Sequence, residues 1–189
     1  MEDLSLHILD IVENGTNAGA TLVEISITED MRSDLLTISI RDNGRGMDRE
    51  MLEKICDPFV TSRTTRRIGL GLSLLKQAAK EAGGDLSIES EPDCGTSVCA
   101  TFQASHIDRK PLGDVGSTLI TLILGNPDVD FIYHCELDGE ETHLDTREIR
   151  TELEEPLTLS HPAVINLISN LFKTTRERQD DLHTTNGGI

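Results

Sequence analysis

Apolar residues recur at two different periods in the first hundred residues, and this alternation restricts the fold more than any other feature. A helical period runs through residues 4–19, and Gly19 is a typical residue for the end of such a helix. A period of two follows in residues 22–27 and 35–41, which indicates two half-buried strands. The polar turn between these two runs predicts an antiparallel hairpin.

The same order of helix and paired strands then recurs once. The patterns predict helices over residues 49–55 and 70–82 and strands over residues 86–90 and 97–102. Residues 60–68 carry no periodicity and are predicted to form a loop. Helices that alternate with antiparallel strand pairs indicate an α+β fold built as a two-layer α/β sandwich.

The composition changes over residues 105–113, which predicts a boundary between residues 1–104 and a C-terminal α/β extension, 105–182. The extension is predicted to contain a helix over 114–124, a hairpin through 131–137 with a turn at Asp138-Gly139, and a helix from Pro162 to about residue 178 capped by Ser160. Residues 183–189 are predicted to be a flexible tail.

The bulk composition excludes several classes of function. A net charge of -17 argues against binding to nucleic acid or to an anionic membrane, because both are polyanions. The longest apolar run, residues 119–124, is too short to span a bilayer, and the N-terminus lacks the basic start of a signal peptide. The four cysteines have no metal-binding spacing. We therefore expect a cytoplasmic protein with reduced thiols.

A polar stripe lies opposite the apolar face of the first predicted helix. Asp10, Asn14 and Asn17 are spaced so that they share one side of that helix. A carboxylate beside an amide oxygen can hold a hydrated Mg²⁺, since this ion prefers oxygen ligands and keeps several waters. An ordinary solvated helix face is the alternative.

A second motif, Asp42-Asn43-Gly44-Arg45-Gly46-Met47, directly follows a predicted strand. A carboxylate at a strand end can accept a hydrogen bond from an exocyclic amine such as that of adenine. The two glycines let backbone approach a flat ring, and Met47 can pack on its face. A plain glycine-rich turn is the alternative.

The third motif, Gly69-Leu70-Gly71-Leu72, stands at a predicted helix N-terminus, where free N–H groups favour phosphate. Three arginines, at positions 63, 66 and 67, precede it in a strongly acidic chain. A solvated run of charge is the alternative to a triphosphate site. Taken together, the three motifs predict a pocket for Mg-ATP.

The three motifs, in this order, resemble the N, G1 and G2 boxes of the GHKL superfamily, which includes DNA gyrase B, heat-shock chaperone ATPases, histidine-kinase catalytic domains and MutL. Gly95-Thr96 resembles the closing box of that family, and residues 57–63 resemble the segment before the ATP lid of histidine kinases. The resemblance covers residues 4–102 and implies a Bergerat-type ATP-binding fold.

The resemblance also implies roles for single residues. Asn14 corresponds to the Mg²⁺ ligand, Asp42 to the adenine-reading carboxylate, and Arg63 to a lid residue that reaches the γ-phosphate. Asp10 falls on the position of the general base, and an alternative register would pair Glu13 with Asn17 instead. The implied nucleotide-binding set is Asn14, Asn17, Asp42, Gly44, Gly46, Met47, Thr61, Ser62, Arg63, Gly69, Leu70, Gly71, Leu72 and Thr96.

The whole chain is similar to stand-alone ATP-binding proteins encoded beside iron-only hydrogenase and NADH-dehydrogenase-like subunits. This resemblance implies a regulatory protein that acts on a protein partner as a kinase or as an ATP-gated switch. A slow ATPase clamp that dimerises and a non-catalytic docking module are the alternatives. Of the histidines, His7 is predicted to be a packing residue. His134, Cys135 and His143 could meet across the C-terminal hairpin and bind a metal, and the alternative is that they are ordinary polar residues facing each other on its strands.

Overall fold

The computed structural model describes residues 3–56, 70–137, 139–153 and 158–172. In chain order the elements are α1 (Leu4–Asn17), β1 (Leu22–Asp30), β2 (Leu35–Asp42), α2 (Arg49–Cys56), α3 (Leu70–Glu81), β3 (Leu86–Glu91), β4 (Gly95–Gln103), α4 (Val115–Gly125), β5 (Asp130–Leu137), β6 (Glu140–Asp145) and α5 (Thr146–Glu152). Residues 162–172 form one further helical stretch.

The strands form one six-stranded sheet in the order β3-β4-β2-β1-β5-β6. The predicted hairpin of β1 and β2 is confirmed, with Ile25 opposite Ile40, and β4 pairs antiparallel with both β2 and β3. β5 lies parallel to β1, and β6 returns antiparallel along β5. The predicted mixed fold of helices on a sheet is therefore confirmed.

The core lies between the sheet and a layer of helices. Alternate strand residues such as Ile25, Ile38 and Ala100 are buried, which is the pattern of a sheet covered on one face. α1 contacts α3 and α4 side by side, and its buried residues include Leu4, Ile8, Ile11 and Val12. The arrangement is thus a two-layer sandwich, and α1 is central to its helical layer.

The sheet and the core continue across the predicted boundary at residue 104. β5 extends the sheet beside β1, and Leu119 of α4 belongs to the same buried cluster as Ile8 of α1. The backbone N–H groups of Leu4 and Ser5 donate to the carbonyls of Pro111 and Leu112. The connecting segment thus supplies acceptors for N–H groups in the first turn of α1 that have no partner within the helix. The division into two domains stays a prediction.

Two local features of the extension differ from expectation. The helix α5 was not predicted, although Asp145 caps it by accepting from the Arg147 N–H and Glu148 follows as in a capping box. The Ser160 hydroxyl lies 3.0 Å from that of Thr158, while the Ala163 N–H donates to Nδ1 of His161. The predicted Ser160 cap is therefore wrong in detail, because the histidine takes the free N–H.

The predicted loop at 60–68 and the tail lie outside the described residues. His7 is buried, as expected of a packing residue. His134 and Cys135 are neighbours on a strand and point to opposite faces, with Cys135 in the core. Across the described ranges no group of three or more His, Cys, Asp or Glu side chains could hold a metal ion.

Candidate functional site

A cavity of about 740 Å³ opens at one end of the sheet, beneath α1 and beside α2 and α3. Small-molecule sites usually enclose roughly 300–1,000 Å³, so its size suits a nucleotide-sized ligand. The cavity is lined by Ile11, Asn14, Gly15, Asn17, Ala18, Asp42, Arg45, Gly46, Met47, Met51, Ile55, Leu72, Thr96 and Val98.

Asp42 ends β2 on the helix-covered face and is partly buried. One carboxylate oxygen accepts a hydrogen bond of 2.9 Å from the Gly44 N–H. Burial raises the pKa of the Asp42 carboxyl above its ordinary value, although bonds from the Gly44 and Thr96 backbones oppose the shift. Asp42 is therefore a partly desolvated acceptor in the wall of the cavity.

Hydrogen bonds hold the loop after Asp42 against three neighbouring segments. Asn43 accepts from the backbone N–H groups of Thr21 and Leu22, so it ties the loop to the start of β1. The Arg45 N–H donates to the Ala18 carbonyl, and the Arg45 carbonyl accepts from the backbone N–H of Asp93. These bonds hold the loop rigidly against α1 and the β3–β4 turn.

Gly46 packs directly against the backbone at the β3–β4 turn. Its φ is 61°, and a Cβ at this position would lie 1.9 Å from the Glu91 carbonyl oxygen. Both the left-handed backbone and the missing side chain are therefore needed for the turn to fit.

Thr96 lines the cavity beside Asp42, because the two residues are direct partners in the β2–β4 pairing. The Thr96 hydroxyl lies 2.9 Å from the hydroxyl of Ser90, its partner on β3. Ser90 also accepts from the Met47 N–H at 2.9 Å. The Ser90 hydroxyl therefore links the backbone of the loop after β2 to the Thr96 side chain in the cavity wall.

One face of α1 forms the cavity roof. Ile11, Asn14, Gly15 and Ala18 recur at helical spacing and all line the cavity, and the exposed Asn17 lines it as well. Glu13, by contrast, is exposed.

Asp10 lies one turn before Asn14, at the contact between α1 and α3. A Cβ at Gly71 would come 3.0 Å from the Asp10 Cβ and 3.1 Å from its carboxylate oxygen, so α3 begins directly against this acid. His7, one further turn away, is buried, and no hydrogen-bond partner for either ring nitrogen is found among the described residues. Burial is the main cause that lowers the pKa of His7, and the nearby Gly71 backbone opposes the shift although it does not reach hydrogen-bond geometry.

The structure brings most of the described predicted residues to one cavity: Asn14, Asn17, Asp42, Gly46, Met47, Leu72 and Thr96 line it. Gly44 is buried beneath Asp42, and Asp10 and Gly71 lie together outside the lining. Thr61, Ser62, Arg63 and Gly69 fall outside the described residues, while Leu70 opens α3.

Several residues at the site were missed from the sequence, among them Gly15, Ser90 and Arg45. Gly15 and Ser90 carry no charge, yet Gly15 follows Asn14 on the cavity face and Ser90 continues the alternation of Leu86 and Ile88 on β3. Arg45 lines the cavity from within the second motif. Periodicity indicated which face of the helix carries Gly15 and which face of the strand carries Ser90. Their contacts with Asp42 and Thr96 depend on tertiary structure.

Comparison with protein families now gives the class of this fold and site. Residues 2–106 match the sequence model of the histidine kinase-, DNA gyrase B- and HSP90-like ATPases. That range covers more than half of the chain and includes every motif described above. The chain belongs to this ATPase family, as the motif resemblance implied.

Individual relatives agree with this assignment. The chain is 36% identical over 98 residues to sporulation kinase D of Bacillus subtilis, which covers 52% of the chain and 19% of that protein. It is 35% identical over 98 residues to the non-motile and phage-resistance protein of Caulobacter vibrioides, covering 49% of the chain and 12% of that protein. The chain thus corresponds to less than a fifth of the length of either relative.

A solved structure extends the likeness in the fold. The Aquifex aeolicus MutL ATPase domain complexed with ADP superposes with a TM-score of 0.50 at 22% identity, over 77% of this chain and 63% of that one. The superposed part, 77% of this chain, is longer than the family match over residues 2–106. The structural likeness therefore includes some of the residues after 106. In the portion of the chain that the structure describes, no helix is long and apolar enough to cross a membrane.

Proposed function

We propose that the chain binds Mg-ATP in this cavity and uses it to regulate a protein partner, either by phosphorylating that partner or by switching conformation. One observation carries the proposal. Asp42, Thr96 and Asn14 come from three separate motifs and line one cavity of nucleotide size. Family membership supports nucleotide binding, and the MutL domain was solved with ADP.

The wall that carries Asp42 and Thr96 suits the adenine base. Asp42 accepts hydrogen bonds, and the neighbouring lining residues Met47, Met51 and Val98 are apolar, so a flat ring can pack between them. The bonds that fasten residues 42–47 hold this wall in place before the ligand arrives.

The residues present fit Mg²⁺ if the nucleotide supplies the remaining ligands. Asn14 offers one amide oxygen to the cavity, and no described cluster of acids and histidines could hold a metal alone. Mg²⁺ is commonly bound by one or two protein oxygens, substrate phosphates and waters. In this proposal the bound ion would neutralise phosphate charge, while Asn14 would hold it under α1.

Asp10 is proposed as the group next to the γ-phosphate. It stands one turn from Asn14 and against Gly71 at the start of α3, and the N-terminus of a helix favours phosphate. In the kinase version Asp10 orients the partner's acceptor group, and in a hydrolytic version it polarises water. The exposed position of Glu13 supports Asp10 and Asn14 over the alternative register.

The names of the curated relatives favour the kinase version, because sporulation kinase D is a kinase. The similarity to proteins encoded beside hydrogenase and NADH-dehydrogenase-like subunits makes such a complex, or its regulator, the proposed partner. A homodimer is compatible with the clamp alternative. Arg63, in the proposed lid, would reach the γ-phosphate and sense its presence.

The proposal is tested by incubating the purified protein with Mg²⁺ and γ-labelled ATP, while free phosphate and labelled protein are both followed. Wild type is compared with Asn14→Ala and Asp10→Asn. Glu13→Gln, an exposed acid on the same helix, is the matched control for Asp10→Asn. Asn17→Ala is measured as well, because Asn17 lines the cavity and is the metal ligand of the alternative register. We expect binding of ATP by wild type and its loss in Asn14→Ala.

The outcome separates the versions of the function. Phosphate release that Asp10→Asn abolishes would indicate a self-sufficient ATPase, and tight binding without turnover would indicate a kinase that awaits its partner or a nucleotide-gated docking module. Stronger effects from Glu13→Gln and Asn17→Ala would establish the alternative register. Failure of wild type to bind ATP would overturn the proposal.

A further inference from the structure

His7 is a polar residue at a position where its burial is costly. Only 2% of the residue is exposed, and neither ring nitrogen has a hydrogen-bond partner among the described residues. A buried donor or acceptor without a partner destabilises a folded protein. An apolar side chain would fill the same space without that cost, so packing alone does not account for a histidine at this position.

His7 faces the junction between α1 and the start of α3. His7, Asp10 and Asn14 follow one another at helical spacing, so they lie along one face of α1. Asp10 lies directly against Gly71, where an added Cβ would come 3.0 Å from the Asp10 Cβ. The Gly71 backbone is also close enough to the His7 ring to affect its pKa. Gly71 therefore meets polar side chains from two successive turns of α1.

The directions of the pKa effects indicate which atom of Gly71 faces the ring. Burial lowers the pKa of His7, so at pH 7 the ring is neutral and carries one N–H donor. The Gly71 backbone acts the other way and raises the pKa of His7. A carbonyl oxygen has this effect because it favours the protonated ring, whereas an N–H would disfavour it. The Gly71 carbonyl therefore faces the ring without reaching hydrogen-bond geometry.

We propose that His7 is a positioning residue whose ring N–H donates to the Gly71 carbonyl when the bound nucleotide carries a γ-phosphate. The inference rests on the proposed function, because that function places the γ-phosphate between Asp10 and the start of α3. A phosphate at this place is attracted to the N-terminus of α3 and draws Gly71 towards α1. The bond to His7 then satisfies a buried donor, and it adds to the affinity for a triphosphate only.

The test compares ADP with a non-hydrolysable ATP analogue, which differ by the γ-phosphate. Dissociation constants are measured by titration calorimetry with Mg²⁺ at pH 7 for wild type and His7→Leu, because leucine fills the buried space but cannot donate. We expect the preference for the ATP analogue over ADP to fall by about five- to tenfold, the scale of one hydrogen bond. The ligand-free variant should at the same time be more stable than wild type, so poorer folding would not explain the lost preference.

Three further variants separate this role from a structural one. His7→Asn and His7→Gln place an amide N–H near the positions of Nδ1 and Nε2, and one of them should restore most of the preference. Thr118→Val is the control, because Thr118 is a buried polar residue of α4 whose hydroxyl donates to the Asp114 carbonyl within that helix, and it should leave the preference unchanged. Equal weakening of both nucleotides in His7→Leu, or a loss that neither amide restores, would overturn the hydrogen-bonding role.

NMR of wild type with isotope-labelled histidine keeps the inference testable if the variants do not fold. The ring N–H signal of His7 should move further downfield with the ATP analogue than with ADP, because a hydrogen-bonded proton is deshielded. The same signal with either nucleotide would overturn the role of His7 while nucleotide binding itself stood. A wild type that binds neither nucleotide would overturn the proposed function instead.

Discussion

Gly15 of α1 lies directly against the side chain of Asp42. A Cβ at position 15 would come 2.9 Å from the Asp42 Cβ and 3.0 Å from its carboxylate carbon. The helix that carries Asn14 and the strand that carries Asp42 can approach this closely only because residue 15 has no side chain. The separation between the proposed metal ligand and the proposed adenine acceptor therefore depends on a glycine.

Gly15→Ala is predicted to weaken ATP binding by about tenfold or more. Alanine normally stabilises a helix relative to glycine by roughly 0.5–1 kcal/mol, but here its methyl group must displace Asp42 or α1. Gly125→Ala is the matched control, since it also lies in a helix and meets no atom within 4 Å. Titration calorimetry with ATP checks the prediction, and equal affinities in the two variants would contradict it.

Gly46→Ala is predicted to destabilise the protein by about 3–4 kcal/mol, because its methyl group would collide with the Glu91 carbonyl. Gly19→Ala is the comparison, since Gly19 also has a positive φ, 84°, but no neighbour within 4 Å. That variant should lose only about 1 kcal/mol, the cost of a left-handed alanine. Urea unfolding measures both, and similar losses would show that the turn contact has little importance.

Asp42→Asn is predicted to weaken ATP binding by about 1–3 kcal/mol, the scale of a lost charged hydrogen bond. The same change should stabilise the ligand-free protein at pH 7. Because burial raises the pKa of Asp42 in the folded state, its protonated form stabilises the fold below the unfolded-state pKa, and this contribution is lost as pH rises through the folded-state pKa.

The stability gain of Asp42→Asn should therefore shrink as the pH is lowered from 7 towards 4. Thermal unfolding at several pH values tests this. Asp128→Asn, at an exposed aspartate outside the cavity lining, controls for the change in net charge. A gain that is independent of pH would argue against a desolvated Asp42.

His7→Leu is predicted to raise the free energy of unfolding by about 1–2 kcal/mol at pH 7, because it replaces a buried ring whose nitrogens find no partner among the described residues. Burial lowers the pKa of His7, so its contribution to stability is present above the unfolded-state pKa and is lost as pH falls through the folded-state pKa. The advantage of His7→Leu should therefore grow in acid.

Unfolding of wild type and His7→Leu is compared at pH 7 and pH 5. His143→Leu, on the exposed face of β6, is the control and should give no such gain. A larger acid sensitivity in His7→Leu than in wild type would refute the prediction.

Most of the secondary structure was predictable because it depends on local periodicity. The bounds of α1, β1 and β2 agree with the apolar patterns of those segments to within three residues at each end. α5 was missed because it has seven residues, and its signal is the cap at Asp145 rather than an apolar stripe. The pairing of β5 with β1 was not predictable from periodicity, since an alternating pattern indicates a strand but not which strand it pairs with.

The sequence by itself determined which chemical groups the site contains. They are amide side chains on one helix face, a carboxylate at a strand end, and glycines where the backbone must approach a ligand. These follow from residue type and spacing, which are local properties of the chain. Tertiary structure alone decided that Gly15 packs on Asp42 and that Gly71 packs on Asp10. Each of these contacts joins segments far apart in the chain, so each depends on how the helices and strands pack, which residue spacing does not encode.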